Sequence, residues 1–261
     1  MSQFEKFSRL IADSTASFSG ADLPVELLLS TEGSLQTFYA PFDYVNPAAK
    51  IVICGITPGH TQAVNALNEA RRALKAGDSL EQAKRKAKET ASFSGPMRPN
   101  LIAMLDHIGV ADLLGIDSCE QLFTTHSHIV HYTSALRYPV FVNGANYNGT
   151  PSMLGKRSLR EQIDRHLAEE VQALGGDCLY VPLGPKVADA FEHLQRKGLL
   201  RPEQILSGLP HPSGANAERI SYFLGRKDKQ KLSAKTNPDV IDTARRQLTA
   251  KVSSLIDKRN A

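Results

Sequence analysis

Lys50-Ile51-Val52-Ile53-Cys54-Gly55-Ile56-Thr57-Pro58-Gly59-His60 is the stretch on which the reading of this chain turns. Its first half is a continuous apolar run, rich in β-branched residues and closed by glycine. It does not alternate between polar and apolar positions, so it reads as a strand buried on both faces, as in a parallel sheet. Gly55, Pro58 and Gly59 then form a loop, and a helix is expected from about Thr61 to Ala76, where Gly77 stops it.

The same alternation continues outward. Asp78 or Ser79 caps a second helix, which carries Lys84, Arg85, Lys86 and Lys88. Ser92-Phe93-Ser94-Gly95-Pro96 is a loop before a helix through Leu101, Met104, Leu105 and Ile108. His128-Ile129-Val130-His131-Tyr132-Thr133 has strand character. Residues 138–156, rich in Pro, Gly and Asn, are expected to form a long loop. A helix over 157–174 precedes the strand Cys178-Leu179-Tyr180-Val181-Pro182-Leu183-Gly184, and another helix runs from Pro185 to Arg196. A short run, Gln204-Ile205-Leu206, leads into Gly208-Leu209-Pro210-His211-Pro212-Ser213-Gly214. From Asn237 a terminal helix places Val240, Ala244, Leu248 and Val252 on one stripe. At the other end, positions 1–35 read as helices, with Phe4, Phe7, Leu10 and Ile11 at helical spacing, before an irregular aromatic cluster at 38–44.

Strands separated by helices imply a mostly parallel sheet covered on both faces, with ligands beyond the carboxyl ends of the strands. The loops after Cys54, Thr133, Leu183 and Leu206 are the places to look. The expectation is one α/β domain over 1–261, with a helical N-terminal extension (about 1–35) and a basic C-terminal helix or tail (about 226–261).

Composition excludes several classes. The 261 residues are 41% hydrophobic and 22% charged, enough for a full core. No stretch approaches the roughly 20 apolar residues that span a bilayer, and the N-terminus lacks the order of a signal peptide, so no membrane partner is expected. Three separated cysteines, Cys54, Cys119 and Cys178, rule against a disulfide framework or a four-cysteine metal cluster, and a reducing cytoplasm is the expected compartment. From Arg219 onward there are 11 Lys/Arg against 4 Asp/Glu, whereas the rest carries 20 against 23. A basic excess confined to one end suggests an anionic partner such as nucleic acid; a solvated helix explains it equally well.

Four constellations can carry chemistry. Gly55-Ile56-Thr57-Pro58-Gly59-His60 sits at a strand-to-helix junction where backbone N–H groups can approach a ligand; it is neither a P-loop nor a dinucleotide turn, and a structural turn is the plain alternative. His211, held between Pro210 and Pro212, has few accessible rotamers, and Ser213, Gly214 and Arg219 beside it suit phosphate. Phe93, between serines, can stack on a planar ligand or plug the core. His126, His128 and His131 lack a carboxylate or cysteine to complete a metal site, so no metal is expected. Gly-x-Ser-x-Gly is missing, and Cys54 lies inside a buried strand, so neither supplies a nucleophile.

In order and spacing these segments resemble the uracil-DNA glycosylase superfamily over roughly residues 40–225. Val52-Ile53-Cys54-Gly55-Ile56-Thr57-Pro58-Gly59 looks like its first active-site motif. Phe93-Ser94-Gly95-Pro96 with the following helix looks like the Phe-x-Gly segment of the branch that usually carries an iron–sulfur cluster. Thr133-Ser134-Ala135-Leu136-Arg137-Tyr138-Pro139 stands at the place of the base-reading strand end, and Val181-Pro182-Leu183-Gly184-Pro185-Lys186-Val187-Ala188 at the late strand and helix. Leu209-Pro210-His211-Pro212-Ser213-Gly214 looks like the second active-site motif.

The resemblance implies a three-layer α/β/α sandwich with a central, mostly parallel sheet. It implies a monofunctional glycosylase that flips a base out of DNA and hydrolyses its N-glycosidic bond, leaving an abasic site, with no cofactor. Phe93 would stack on the base, while Gly55, Ile56, Gly59 and Ser134 line it. His211 would stabilise the departing base anion, Thr57 or His60 would hold the water, and Ser213, Gly214 and Arg219 would grip phosphates. Three positions depart toward smaller or weaker groups. Ile56-Thr57 replaces the carboxylate or amide that holds water, Ser134 replaces the uracil-reading Asn, and Gly59 replaces a Tyr that blocks C5 substituents. These changes favour a bulkier or modified pyrimidine. Ala215 and Asn216 stand where relatives insert a Leu wedge, which points to a destabilised, single-stranded or modified substrate, in repair or in attack on modified phage DNA. The alternatives are a catalytically inactive module of the same fold that binds DNA or modified bases, and an enzyme of free nucleosides or nucleotides.

Overall fold

The computed structural model describes residues 2–14, 18–20, 22–92 and 97–260. In chain order the elements are helix α1 (Gln3–Asp13), strands β1 (Leu28–Glu32), β2 (Leu35–Phe38) and β3 (Ile51–Gly55), and helices α2 (His60–Lys75), α3 (Leu80–Ala91), α4 (Met97–His107) and α5 (Val110–Leu114). Strands β4 (Val130–Ser134), β5 (Val140–Val142) and β6 (Ala145–Asn146) follow. Helices α6 (Arg157–Gln162) and α7 (Ala168–Leu174), joined by a π turn, lead to β7 (Leu179–Pro182), α8 (Pro185–Arg196), α9 (Ala217–Phe223) and α10 (Pro238–Asn260).

The fold is α/β. A three-stranded sheet has the order β4-β3-β7, and β3 pairs β7 in parallel, Ile51 opposite Leu179 and Cys54 opposite Pro182. Ile51, Val52, Ile53 and Cys54 are all at most 1% exposed, which is why the run could be apolar at every position. Leu206 N–H donates to the Tyr180 carbonyl at 2.8 Å, bringing the predicted short run beside β7. The described chain divides into two compact units: residues 1–45, 55–92 and 132–173, and residues 46–54, 93–131 and 174–261.

In the first unit α2 and α3 form an antiparallel pair whose facing stripes are small. Ala63, Ala66, Leu67, Ala70 and Ala73 on α2 and Ala83, Ala87 and Ala91 on α3 are all buried, and alanine lets the backbones approach closely. Ser79 caps α3: its hydroxyl accepts from Gln82 N–H, and the Gln82 amide accepts from Ser79 N–H. The N-terminal segment departs from the helical reading. Among the described residues only α1 and a short 3-10 turn at Val25–Leu27 are helical before β1, which pairs antiparallel with β2. Nor is α1 an appendage: Phe4 and Ile11 are buried in this unit's core, and Phe7 stacks on Tyr39 at 4.5 Å.

Residues 138–156 are not all loop either. β5 joins β2, and β6 folds back on β5, completing a four-stranded antiparallel sheet in the order β1-β2-β5-β6. The turn is Asn143-Gly144 with φ of 50° and 78°, the two successive positive values that a tight hairpin requires.

The second unit is held by α4, α5, α8, α9 and α10. On α10 the expected stripe holds at Leu248 and Val252 and differs at its first position. Val240 is 63% exposed, whereas Ile241, Leu248 and Val252 are buried. Gly208, at φ 122°, lies under Ala244, whose Cβ would stand 3.0 Å from any added Cβ. The basic residues of this segment cap backbone: Lys251 donates to the Pro202 and Ile205 carbonyls, Arg245 to that of Phe223, and Arg259 to that of Leu113. Cys54, Cys119 and Cys178 are buried free thiols, and burial pushes that of Cys178 up to about 12 and that of Cys119 higher still. Among the described residues no helix is long and apolar enough to cross a membrane.

Candidate functional site

Two sets of the predicted residues assemble, one in each unit. In the first unit the turn after β3 is laid against the end of β4 by backbone bonds: Ala135 N–H donates to the Gly55 carbonyl at 2.8 Å, and Leu136 N–H to that of Ile56 at 2.9 Å. Gly55, Ile56 and Thr57 thus stand beside Ser134, whose hydroxyl has no hydrogen-bond partner among the described residues. The Thr57 hydroxyl donates to the Tyr138 carbonyl at 3.1 Å and accepts from Val140 N–H at 3.2 Å. Its only proton is thus committed to backbone, and one lone pair is left for the water that it is expected to hold. Thr57 is a clamp between the turn and β5.

The room expected at Gly59 is also partly filled. A Cβ there would stand 3.5 Å from the Asn146 side chain, which reaches over from β6. Asn146 Oδ1 accepts from His60 N–H at 2.8 Å, capping the first turn of α2, while Gly59 N–H donates to Gln62 Oε1 at 2.8 Å. The His60 ring meets Phe141 edge-on at 6.3 Å, and its Nε2 is buried without a hydrogen-bond partner. The His60 ring also lines a cavity behind the turn.

Buried ionic groups fix this arrangement from behind. Arg137 donates to Glu170 Oε1 at 2.9 Å and to the His166 carbonyl at 2.9 Å, both side chains of the ion pair being under 10% exposed. Tyr138 N–H donates to Gln162 Oε1, and the Tyr138 and Tyr39 hydroxyls both donate to Asp43, at 2.7 and 2.8 Å. Burial and the Asp43 charge raise both phenol pKa values, so these donors keep their protons. The basic run on α3 is similarly engaged: Lys84 pairs with Glu81, Arg85 with Glu89 and Lys86 with Asp78, while buried Lys88 donates to the Tyr44 carbonyl.

In the second unit the His211 loop is built differently. Asn100 of α4 donates to the Pro212 carbonyl at 2.9 Å, and Gly184, at φ 90°, lets the turn after β7 pack against His211, whose Cβ would stand 3.7 Å from any Cβ added there. Ser213 N–H donates to His211 Nδ1 at 3.3 Å. Burial lowers the imidazole pKa, so the ring is neutral near pH 7. A neutral ring whose Nδ1 accepts must carry its proton on Nε2, and this N–H has no hydrogen-bond partner among the described residues. The loop thus offers one aimed, uncharged donor.

Its neighbours are less available than expected. Ser213 N–H is spent on His211, and the Ser213 hydroxyl accepts from Asn216 at 3.2 Å, so phosphate gripping by Ser213 is limited to its hydroxyl; Gly214 is exposed. Arg219 is exposed, and two of its nitrogens are anchored, to Asn216 Oδ1 at 2.8 Å and to the Lys235 carbonyl at 3.1 Å. Asn216, at the wedge position, is itself held between Ser213 and Arg219. Phe93, with Ser94, Gly95 and Pro96, lies outside the described residues.

The histidine cluster does not form a metal site. His126 and His128 lie on a 3-10 turn with rings 5.8 Å apart, while His131 is buried on β4, and no group of three His, Cys, Asp or Glu side chains among the described residues can hold a metal ion. A feature without a sequence signal lies in the second unit, where Arg98, Ile102, His107, Leu224 and Arg226 line a groove of about 700 Å³. The Arg98 guanidinium sits 4.6 Å over the Phe123 ring with Nε buried and unpartnered. Burial, then Arg245 and Arg226, lower the His107 pKa.

A curated relative, "Uncharacterized protein YoxB" of Bacillus subtilis (strain 168), is 36% identical over 218 residues, spanning 83% of this chain and 85% of that protein. No family model matches the chain, and no solved structure matches it. With a third of the residues shared over more than four-fifths of both sequences, the chain belongs to the YoxB family.

Proposed function

We propose that the chain is a monofunctional DNA glycosylase of uracil-DNA glycosylase-like α/β/α architecture, acting on a flipped-out pyrimidine that carries a modification or lies in weakly paired DNA. The observation that carries this reading is the His211 loop: a neutral imidazole, held by Ser213 N–H and flanked by two prolines, with its Nε2–H unspent. Cleavage of an N-glycosidic bond leaves negative charge on the departing base and positive charge on the sugar. A fixed, uncharged donor aimed at the base stabilises that charge without reorganisation and does not lose a proton in doing so. Sugar cation character also relaxes the need for a strong base to activate water, which suits a turn whose Thr57 proton is committed and which carries no carboxylate. The exposed Arg219, with Arg246 and Lys258 on the exposed side of α10, supplies phosphate contacts that are indifferent to sequence.

The test is an abasic-site assay on single- and double-stranded DNA carrying uracil, mismatched thymine and 5-substituted cytosines, with mass detection of the released base. Release that His211→Ala abolishes supports the proposal. Thr57's commitment to backbone favours a second reading, a module that binds modified DNA without cutting it. That reading wins if DNA binding persists while no substrate yields product. DNA binding that is undetectable or insensitive to salt overturns both.

A further inference from the structure

We infer that the cavity behind the Gly59–His60 turn is a binding site for a single unpaired nucleobase bearing an exocyclic amino group. This inference stands independently of the excision reading. The cavity encloses about 250 Å³ wholly within the first unit, enough for one heterocycle, and is lined by Asp22, Gln36, Phe38, His60, Phe141 and Asn146. Phe38 and Phe141 meet edge to face at 5.8 Å, giving an aromatic wall for a planar ring. The His60 ring lines the cavity beside Phe141, with its Nε2 sealed off from solvent. Asn146 spends its carbonyl on His60 N–H and keeps both amide protons, while the Gln36 amide makes no hydrogen bond among the described residues. The two amides form a donor and acceptor set that suits a base edge.

Charge narrows the class. Among the described residues the lining holds no lysine or arginine, and its one carboxylate, Asp22, can accept from an exocyclic amine but repels phosphate. Cytosine or adenine is therefore favoured over thymine, and a nucleoside over its 5′-phosphate. The base can be free or belong to an unpaired strand; the chemistry recognised is the same.

The experiment is a titration of the full chain, followed through the imidazole NMR resonances of His60, with cytidine, adenosine, thymidine, cytidine 5′-monophosphate, glucose and a short single-stranded oligocytidylate. Saturable shifts with cytidine or adenosine, weakened about tenfold or more by Gln36→Ala and by Asn146→Ala, are expected. Both substitutions leave the buried core intact, and far-UV circular dichroism checks that the variants fold. Saturation by the nucleoside alone identifies a free base as ligand, and by the oligonucleotide as well, an unpaired strand. The inference is overturned by no saturable shift from any nucleoside or oligonucleotide, by shifts that both variants leave unchanged, or by preference for thymidine, glucose or the monophosphate. Failure of the glycosylase assay alone leaves it standing.

Discussion

The turn after β3 and the loop around His211 look alike in sequence, each short, proline-bearing and bounded by glycine, but they use their polar groups in opposite ways. Around Thr57 the hydroxyl, the flanking carbonyls and the first N–H of α2 are all consumed by backbone and by Asn146. Around His211 the protein spends Ser213 N–H and Asn100 to set one ring and then leaves its Nε2–H unpaired. The first arrangement produces a rigid shape, and the second a poised donor. The difference teaches that a motif's resemblance transfers its backbone path more readily than the work of its side chains.

The largest expected effect tests the rigid side. Glu170→Ala removes the buried carboxylate that Arg137 and Lys88 share and should cost about 3–5 kcal/mol in denaturant unfolding, as breaking a buried ion pair does. A loss under about 1 kcal/mol would mean that the Arg137 segment does not depend on that pair. His211→Ala tests the poised side. It should lower base release by about 10²–10³-fold, the effect of removing one preorganised donor, while the unfolding midpoint changes little.

Thr57→Val should reverse that pattern, costing about 1–3 kcal/mol of stability by orphaning the Tyr138 carbonyl and Val140 N–H, with base release per folded molecule within a few-fold of the parent. If Thr57→Val instead abolishes release in a stable protein, the contrast between the two turns is broken.

The pH dependence sharpens the comparison further. Because burial lowers the His211 pKa below 6.5, the unfolded chain takes up a proton before the native one as pH falls from 6.5. That contribution to stability is complete above pH 6.5 and is lost progressively as pH falls toward the native pKa. The acid limb of the activity profile should lie below 6.5, and NMR titration of the imidazole should match it. Smallest is Arg219→Ala, which should cut the salt dependence of DNA affinity by about one phosphate contact and change stability by under about 1 kcal/mol.

Much of the frame is legible in the residues. β3 announces itself because a strand covered on both faces needs no polar position, and α3 through the Ser79–Gln82 cap. β1 escapes notice because Leu28-Leu29-Ser30-Thr31-Glu32 is only partly buried and alternates weakly. The β5–β6 hairpin does carry a signal, Asn143-Gly144, but it is hidden among other Pro, Gly and Asn residues that suggest loop. On α10 the adjacent Val240 and Ile241 compete for the first position of the stripe, and it is Ile241 that packs inward. In the site, His211 is legible because neighbouring prolines restrict it locally. Thr57 and Asn146 are not, since their partners lie 81–86 residues away and only the folded chain supplies them.

All three sulfhydryls belong to the second unit, and the first unit contains none. All are buried, and Cys119 and Cys178 are held protonated, so they should be inert to alkylating reagents until that half opens. The rate at which Cys119 and Cys178 are modified in the native protein is thus a built-in clock for breathing of the His211-bearing half.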